Sequence, residues 1–448
     1  MAAAPVAAGP AGGSGTGPVT GRGRRRKARA TRRLTAPVLL GTAWAAASTA
    51  LLVRPAGVPA WRSVWAEDGS RFLQDAIGSP GPGTWLEPYE GYRHLVPRMV
   101  GDLAARFPLV DAAAVLAVAS SVVAGGALVL FAVGLRRWLP APGPRAGVVV
   151  ALAAMHAPAS EAAANAANLH WYLTLGLLGL ALLRPRHVTT ALAAAGLAAA
   201  FALSDPFSPC VAVVALLDAA QVSTHRRGRW VLTWAVPAAL AAAAATQVLT
   251  MVRYPRTPPS YAGPPYRDLP ALYLGRVLRD GLSPVPAAHL SDDALLLVLA
   301  ASAAVLLGLA GAHRLGDRAA LGGALVAASP AMFAADVLVN HTVADRYAAA
   351  PAALLVAGLL VLASGARRAF VPACAGVVAL GLWSFATHPA RGQGPDWVDA
   401  VRTAATGCRA PGQVVRVPVA PASGGPPRWV VQLPCGRITT GPLDPLSR

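Results

Sequence analysis

Apolar runs of helix length recur in this chain from residue 35 to residue 386, and that recurrence limits the fold more than any other feature. A backbone crossing a bilayer must satisfy its own hydrogen bonds, so such runs read as membrane-spanning α-helices. Spans are expected at about 35–53, 110–134, 146–158, 169–183, 188–203, 210–223, 230–250, 293–312, 319–335, 348–364 and 369–386, roughly eleven in all. The third to sixth are short, and Ala-rich sequence blurs every boundary by a few residues. Composition agrees: 13% of residues are charged, where a soluble domain has about 25%. The expected class is an all-α polytopic membrane protein.

Charge sets the expected orientation. The chain carries 39 basic and 20 acidic residues, a net charge of +19. Nearly all the bases are Arg, a composition that suggests a GC-rich bacterial genome. Nucleic-acid binding is one reading of such a charge, and the positions argue against it. "RGRRRKARATRR" (22–33) precedes the first span. The other groups are Arg136/Arg137/Arg145, Arg184/Arg186, Arg226/Arg227/Arg229, Arg314/Arg318 and Arg367/Arg368. Each falls where alternation from a cytoplasmic N-terminus requires an inner loop. Membrane lipid is therefore the expected partner of this charge. Among the acids, only Asp218 and Asp317 fall inside. The long segments, 54–109, 251–292 and the tail from 387, face outward, on the extracytoplasmic side of a plasma membrane.

Three regions follow: a disordered basic tail (1–33), a transmembrane region (34–386) and a small extracytoplasmic domain (387–448). "TRRLTAP" and "VPA" faintly resemble a twin-arginine signal and a cleavage site; with so many spans following, an uncleaved signal anchor is expected. In the tail, "VVRVPVAP" and "RWVVQLPC" read as two short strands. Cys408 and Cys435 suggest an exported disulfide, which would stabilise the domain by about 3 kcal/mol, the alternative being two free thiols. Cys210 and Cys374 read as packing residues.

The first outer loop holds an unusual pair in "VWAEDGSRFL" (64–73). Glu67 and Asp68 would occupy a helix's first turn, where carboxylates suit the positive dipole end. Phe72, Leu73, Ala76 and Ile77 would form an apolar side facing the membrane interface. After "GSPGPG", a second short helix is expected, with Leu95, Met99, Leu103 and Phe107 on one stripe. Arg98, Asp102 and Arg106 would make an ion-pair ladder on the next. Tyr89, Tyr92, Arg93 and His94 lie at the joint between the two helices.

A multi-span chain with an inside N-terminus, a long first outer loop and an acidic pair after the first span resembles the GT-C class of membrane glycosyltransferases, of actinobacterial type. That class includes the mannosyltransferases that use dolichyl- or polyprenyl-phosphate sugars. By topology the resemblance covers nearly the whole chain; its motif is short. It implies that one carboxylate of the pair acts as base on an acceptor hydroxyl. It also implies a donor sugar carried on a lipid phosphate. Only Glu67 and Asp68 are carried over. The chemistry is reasonable on its own terms. Glycosyl transfer from a phosphate carrier needs a base for the acceptor's proton and positive charge for the departing phosphate. A lipid carrier holds the reaction at the membrane surface. Side by side, the two acids should also repel and raise one pKa. The bland alternative is a helix N-terminus decorated with acids.

Three other stretches offer site residues. "HAPASEAAANAANLHWYL" (156–173) collects Glu161, Asn165, Asn168, His170, Trp171 and Tyr172. In a helix, Glu161, Asn165 and Asn168 would share a face. Amides and flat rings suit sugar and acceptor binding, as do Tyr89 and Tyr92; an interfacial aromatic belt is the alternative. "DVLVNHTVADRYAAAP" (336–351) offers Arg346 and Tyr347 as a phosphate clamp, with Asn340 and His341 nearby. Arg93, His94, Arg98 and Arg276 are further donor-phosphate candidates, with Arg279 beside the last. Asp205 reads as a turn or cap residue.

No Walker loop, nucleophile elbow or zinc-spaced cluster occurs. A divalent cation, Mg or Mn, at Glu67/Asp68 is compatible with the scheme and not required by it. No internal repeat is evident, which weakens an inverted-repeat transporter. The sequence is therefore read as an outward-facing glycosyltransferase acting on an envelope glycan, lipid or protein. Its rivals are a transporter or flippase and a non-catalytic envelope scaffold. Asp336, Glu161 and Asp205 deep along a path open to both sides would favour the transporter. Loss of all function on deleting 387–448 would favour the scaffold.

Overall fold

The computed structural model describes residues 20–54, 57–155, 161–223, 230–256, 264, 266–279, 316–341, 344–383, 394–421 and 429–439. The expected span at 293–312, the tail of 1–19 and the arginines at 226, 227, 229 and 314 lie outside them. The described chain is mostly helical. It runs α1 (Thr20–Val53), a π-helical turn (Asp68–Leu73), α2 (Gln74–Gly78), α3 (Pro82–Trp85), β1 (Pro88–Tyr89), β2 (Tyr92–Arg93), α4 (Leu95–Ala105), α5 (Ala112–Gly134) and α6 (Pro142–Ala154). It continues with α7 (Leu169–Ala181), α8 (Val188–Ala202), α9 (Ser208–Ser223), α10 (Trp230–Arg253), α11 (Leu269–Tyr273), α12 (Gly316–Asn340), α13 (Ala349–Ala363) and α14 (Arg367–Trp383). The tail holds α15 (Trp397–Thr406), β3 (Val414–Pro418), β4 (Val430–Pro434) and α16 (Cys435–Thr439).

Five described helices are long and apolar enough to cross a membrane: Ala36–Val53, Leu109–Arg137, Trp230–Arg253, Gly316–Asn340 and Arg346–Ala363. Five of the other expected runs form shorter helices of 13 to 17 residues. Thirteen residues rise about 20 Å, short of a ~30 Å hydrocarbon layer. α7 is such a helix, and every residue in it except Leu178 is buried. It packs against α5, α8, α9 and α13, which makes it the bundle's inner helix and explains why it is apolar all round.

Small residues set the helix spacing. A Cβ on Gly134 would lie 2.3 Å from the Gly179 carbonyl oxygen, so α5 and α7 touch backbone to backbone. Gly322 and Gly358 let α12 and α13 do the same, with a Gly358 Cβ 2.7 Å from the Gly322 oxygen. Where lipid removes the hydrophobic drive between helices, such close approach provides the packing energy. Ala-rich composition is thus a packing device as well as a source of hydropathy.

The segment after α1 and the tail form one layer over the bundle. Ala66 N–H donates to Ala420 O at 2.6 Å, and Ala420 N–H donates to Val64 O at 2.9 Å. A Cβ on Gly69 would meet Val431 and Val64 side chains at 2.7 Å. On its other side the same turn meets α4, where a Cβ on Gly101 would come within 2.7 Å of the Phe72 backbone. The 66–78 segment is therefore clamped between α4 and the antiparallel β3–β4 pair. Cys408 and Cys435 are disulfide-bonded, and Trp397 Nε1–H donates to Leu109 O at 2.6 Å.

This clamp changes several expectations. Phe72, Leu73 and Ala76 do not face a membrane interface; they are buried in the protein, Phe72 against the Tyr89 and His94 rings and the α4 backbone at Gly101. The exposed apolar stripe lies on and just beyond α4, at Met99, Leu103 and Phe107. The ladder is half formed. Arg106 pairs with Asp102 at 2.7 Å, while Arg98 turns to Asp75 at 2.9 Å. The joint between the loop's helices is a hairpin, Tyr89 facing Tyr92. Its two turn residues, Glu90 and Gly91, have φ of 49° and 86°, the pattern of a two-residue hairpin turn with both central residues left-handed.

Candidate functional site

A cavity of about 350 Å³ opens between this layer and the N-terminal ends of α7 and α13. That is the size of a small-ligand site. Glu67 enters it from the first turn ahead of the π-helical segment, and Tyr89, Tyr92 and His94 enter from the hairpin. Asn168, His170 and Trp171 come from the start of α7, Arg346 and Tyr347 from the turn before α13. Six stretches far apart in the sequence thus converge, including Arg256 beyond α10 and Asp336 with Asn340 at the end of α12.

Asp68 makes the convergence possible without reaching the cavity. It is fully buried, and its two carboxylate oxygens accept N–H groups of Ala166 and Ala167 at 2.9 and 2.8 Å. Backbone amides held this way fix the 161–168 segment against the Glu67 turn. That segment is not one helix. Ala164 has φ 54°, and the chain folds around the Glu161 carbonyl, to which both Asn165 and Asn168 donate through Nδ2. Asn165 Oδ1 accepts Asn168 N–H at 2.9 Å, and Trp171 Nε1–H reaches Asn168 Oδ1 at 3.4 Å. The shared helical face expected for Glu161, Asn165 and Asn168 is replaced by this turn.

The cavity wall is aromatic. Tyr92 and His94 have ring centroids 3.9 Å apart, His170 and Trp171 4.2 Å, and Trp171 and Tyr347 5.9 Å. Charge is set among these rings. Arg346 pairs with Glu161 and lies over the Tyr347 ring. Arg256 pairs with Glu90 at 2.9 Å and contacts the Asn340 side chain. Glu67 makes no ion pair among the described residues. Burial raises its pKa, partly offset by its backbone hydrogen bond and by Arg346, and nearby Glu161 and Glu90 push the same way as burial. Burial also lifts the Tyr89 hydroxyl to about 12 and lowers His94 to about 3. His94 is therefore neutral at pH 7. Its Nε2 contacts Tyr89 O at 3.1 Å, and its buried Nδ1 has no hydrogen-bond partner among the described residues.

Several expected site residues lie elsewhere. The Arg93 side chain bonds to Leu86 O and, at 3.0 Å, to Thr250 Oγ1, tying the hairpin to α10. Arg98 is buried with Asp75 and Glu87 O. Arg276, in the π-helical stretch after α11, does not line the cavity. Glu161 and Asn165 stand behind the wall, as partners of Arg346 and Asn168. Asp205 is buried and caps locally, its Oδ1 accepting Phe207 N–H at 2.9 Å and its Oδ2 the Thr174 hydroxyl at 2.7 Å. Arg256 and Trp65, both on the cavity, were not legible as site residues. Arg256 carried one signal, a second base three residues after Arg253, just past an apolar run.

No three His, Cys, Asp or Glu side chains gather to hold a metal among the described residues. Both Asp68 oxygens accept amide N–H groups, so of the acidic pair it is Glu67 that faces the cavity. No step below is routed through a metal. No protein-family model, curated protein or solved structure matches this chain.

Proposed function

We propose that the chain is an integral membrane glycosyltransferase of GT-C type, moving a sugar from a polyprenyl-phosphate donor to a cell-envelope acceptor at the outer face of the plasma membrane. One observation carries the reading. Glu67, a carboxylate without an ion-pair partner among the described residues, shares an aromatic-walled cavity with two cations, Arg346 and Arg256. In the proposed step the acceptor oxygen attacks the anomeric carbon, and the bond from that carbon to the phosphate oxygen breaks. The phosphate leaves with the electron pair, and Glu67 takes the hydroxyl proton. A base with a raised pKa holds that proton better than an ordinary carboxylate. Arg346 and Arg256 would stabilise the departing phosphate through charge-assisted hydrogen bonds. Tyr92, His170 and Trp171 would bed the sugar ring.

Asp336 favours a transporter as a second reading. It lies in a span-length helix, lines the cavity, and its Oδ2 has no hydrogen-bond partner among the described residues. Such acids mark ion pathways in transporters. Against it, this cavity shares no lining residue with the recesses at the far end of α7.

The deciding experiment offers radiolabelled polyprenyl-phosphate sugars to membranes containing the wild type and Glu67→Gln. Glu67→Gln should lower transfer by about 10²- to 10⁴-fold, the usual contribution of a general base. Unchanged transfer would remove the assignment, and label crossing the bilayer without a new glycoside would favour the transporter.

A further inference from the structure

The end of the bundle opposite the Glu67 cavity holds a second site. α5 and α7 cross through Gly134 and Gly179 near their C-terminal ends, so the residues that follow them meet. There Arg136 and Arg137 come from one helix end, Arg184 and Arg186 from the other, around a recess of about 720 Å³. A groove of about 440 Å³ continues from it between α5, α7 and α8. Val133, Arg136, Leu183, Arg184, Pro185 and Arg186 line both. Beyond them the groove is lined mostly by apolar side chains, Leu130, Leu180, Leu197 and the exposed Ala193 among them, with His187 and Thr190 the polar ones.

The charges are unequal. Arg184 pairs with Asp218 and Arg137 with Asp317. Arg136 and Arg186 have no carboxylate partner among the described residues; Arg136 reaches only the Arg184 carbonyl, at 3.4 Å. A cationic recess joined to an apolar groove on a helix bundle matches one class of molecule, an anion with a hydrocarbon chain. We infer that this end binds an anionic phospholipid, the headgroup phosphate between Arg136 and Arg186 and an acyl chain along the α5–α7–α8 groove. The C-terminal ends of α5 and α7 hold these arginines in place through their partial negative charge. The inference does not depend on the transferase reading.

Native mass spectrometry of the full chain in neutral detergent tests it, with dioleoyl-phosphatidylglycerol and dioleoyl-phosphatidylcholine as probes. Phosphatidylglycerol should bind at least about tenfold more tightly. Arg136→Gln/Arg186→Gln should weaken it about 30-fold, the effect expected of two arginines at a lipid surface. Arg402→Gln/Arg409→Gln, in the tail, should change nothing. Ala193→Trp fills the groove, leaves every arginine in place, and should also release the lipid. Equal binding of both lipids would overturn the inference, as would unchanged binding by the double variant at positions 136 and 186. Tight binding of inorganic phosphate with no effect of Ala193→Trp would mean the recess takes free phosphate, and would overturn it too.

Discussion

Asp68 uses both carboxylate oxygens on the amides of Ala166 and Ala167, while Glu67, one residue earlier, faces the cavity. The two should therefore fail differently when changed. Glu67→Gln should keep the wild-type melting temperature while transfer falls. Asp68→Asn presents an NH2 to an amide N–H and should cost about 1–3 kcal/mol, visible as a lower melting temperature in detergent. His94 gives a pH signature. Its folded pKa, about 3, lies below the unfolded value of 6.5. Its neutral form is therefore favoured by folding, and its contribution is complete above pH 6.5. Stability is then lost as pH falls below 6.5 toward 3, by up to about 1.4 kcal/mol per unit. His94→Gln, which retains a donor for Tyr89 O, should flatten thermal stability between pH 7.5 and 5. An equally steep fall in the variant would assign the acid sensitivity to other groups.

At the scale of elements, helix crossings depend on missing side chains. Gly179 sits where a Cβ would lie 2.4 Å from the Leu130 carbonyl oxygen and the Phe131 Cα. Gly179→Val should force α5 and α7 apart and destabilise by about 1–3 kcal/mol or more, read as a lower melting temperature. Gly196, in α8, has nothing within 4 Å of an added Cβ. Gly196→Ala should raise helix stability by up to about 1 kcal/mol. The run "LHWYLTLGLLGLA" announces an apolar helix, and the sequence cannot say that it is enclosed rather than lipid-facing. The α4 stripe was legible as a stripe, but not as an exposed one. What lies against a stripe depends on a partner from elsewhere in the chain; the hairpin rings and α4 cover Phe72, and Met99 is left bare.

On the scale of the whole molecule, the tail and the segment between α1 and α5 stand together. Val431 and Val419 pack at Gly69, two residues from Glu67, so the tail is a wall of the layer that carries Glu67. Changing both Cys408 and Cys435 to Ala should remove about 3 kcal/mol of the tail's stability. It should also lower Glu67-dependent transfer, measured in the same membranes with and without reductant. Deleting 387–448 would uncover the turn at Gly69, against which Val431 packs, and disturb the site whichever function is right. Point changes at Glu67 therefore separate enzyme from scaffold where the deletion cannot.

Helical class and two tail strands were readable from local pattern, since hydropathy period and apolar length report what each segment can do alone. The acidic pair and the α7 aromatics were visible as candidates because polar groups beside apolar runs are costly and few. Which carboxylate faces the cavity, that Arg256 joins Arg346 there, and that Arg93 and Arg98 turn away were decided by tertiary structure. Direction on a turn and choice of ion-pair partner depend on atoms that are distant in sequence, from 23 residues for Arg98 and Asp75 to 185 for Arg346 and Glu161, and no local pattern encodes them.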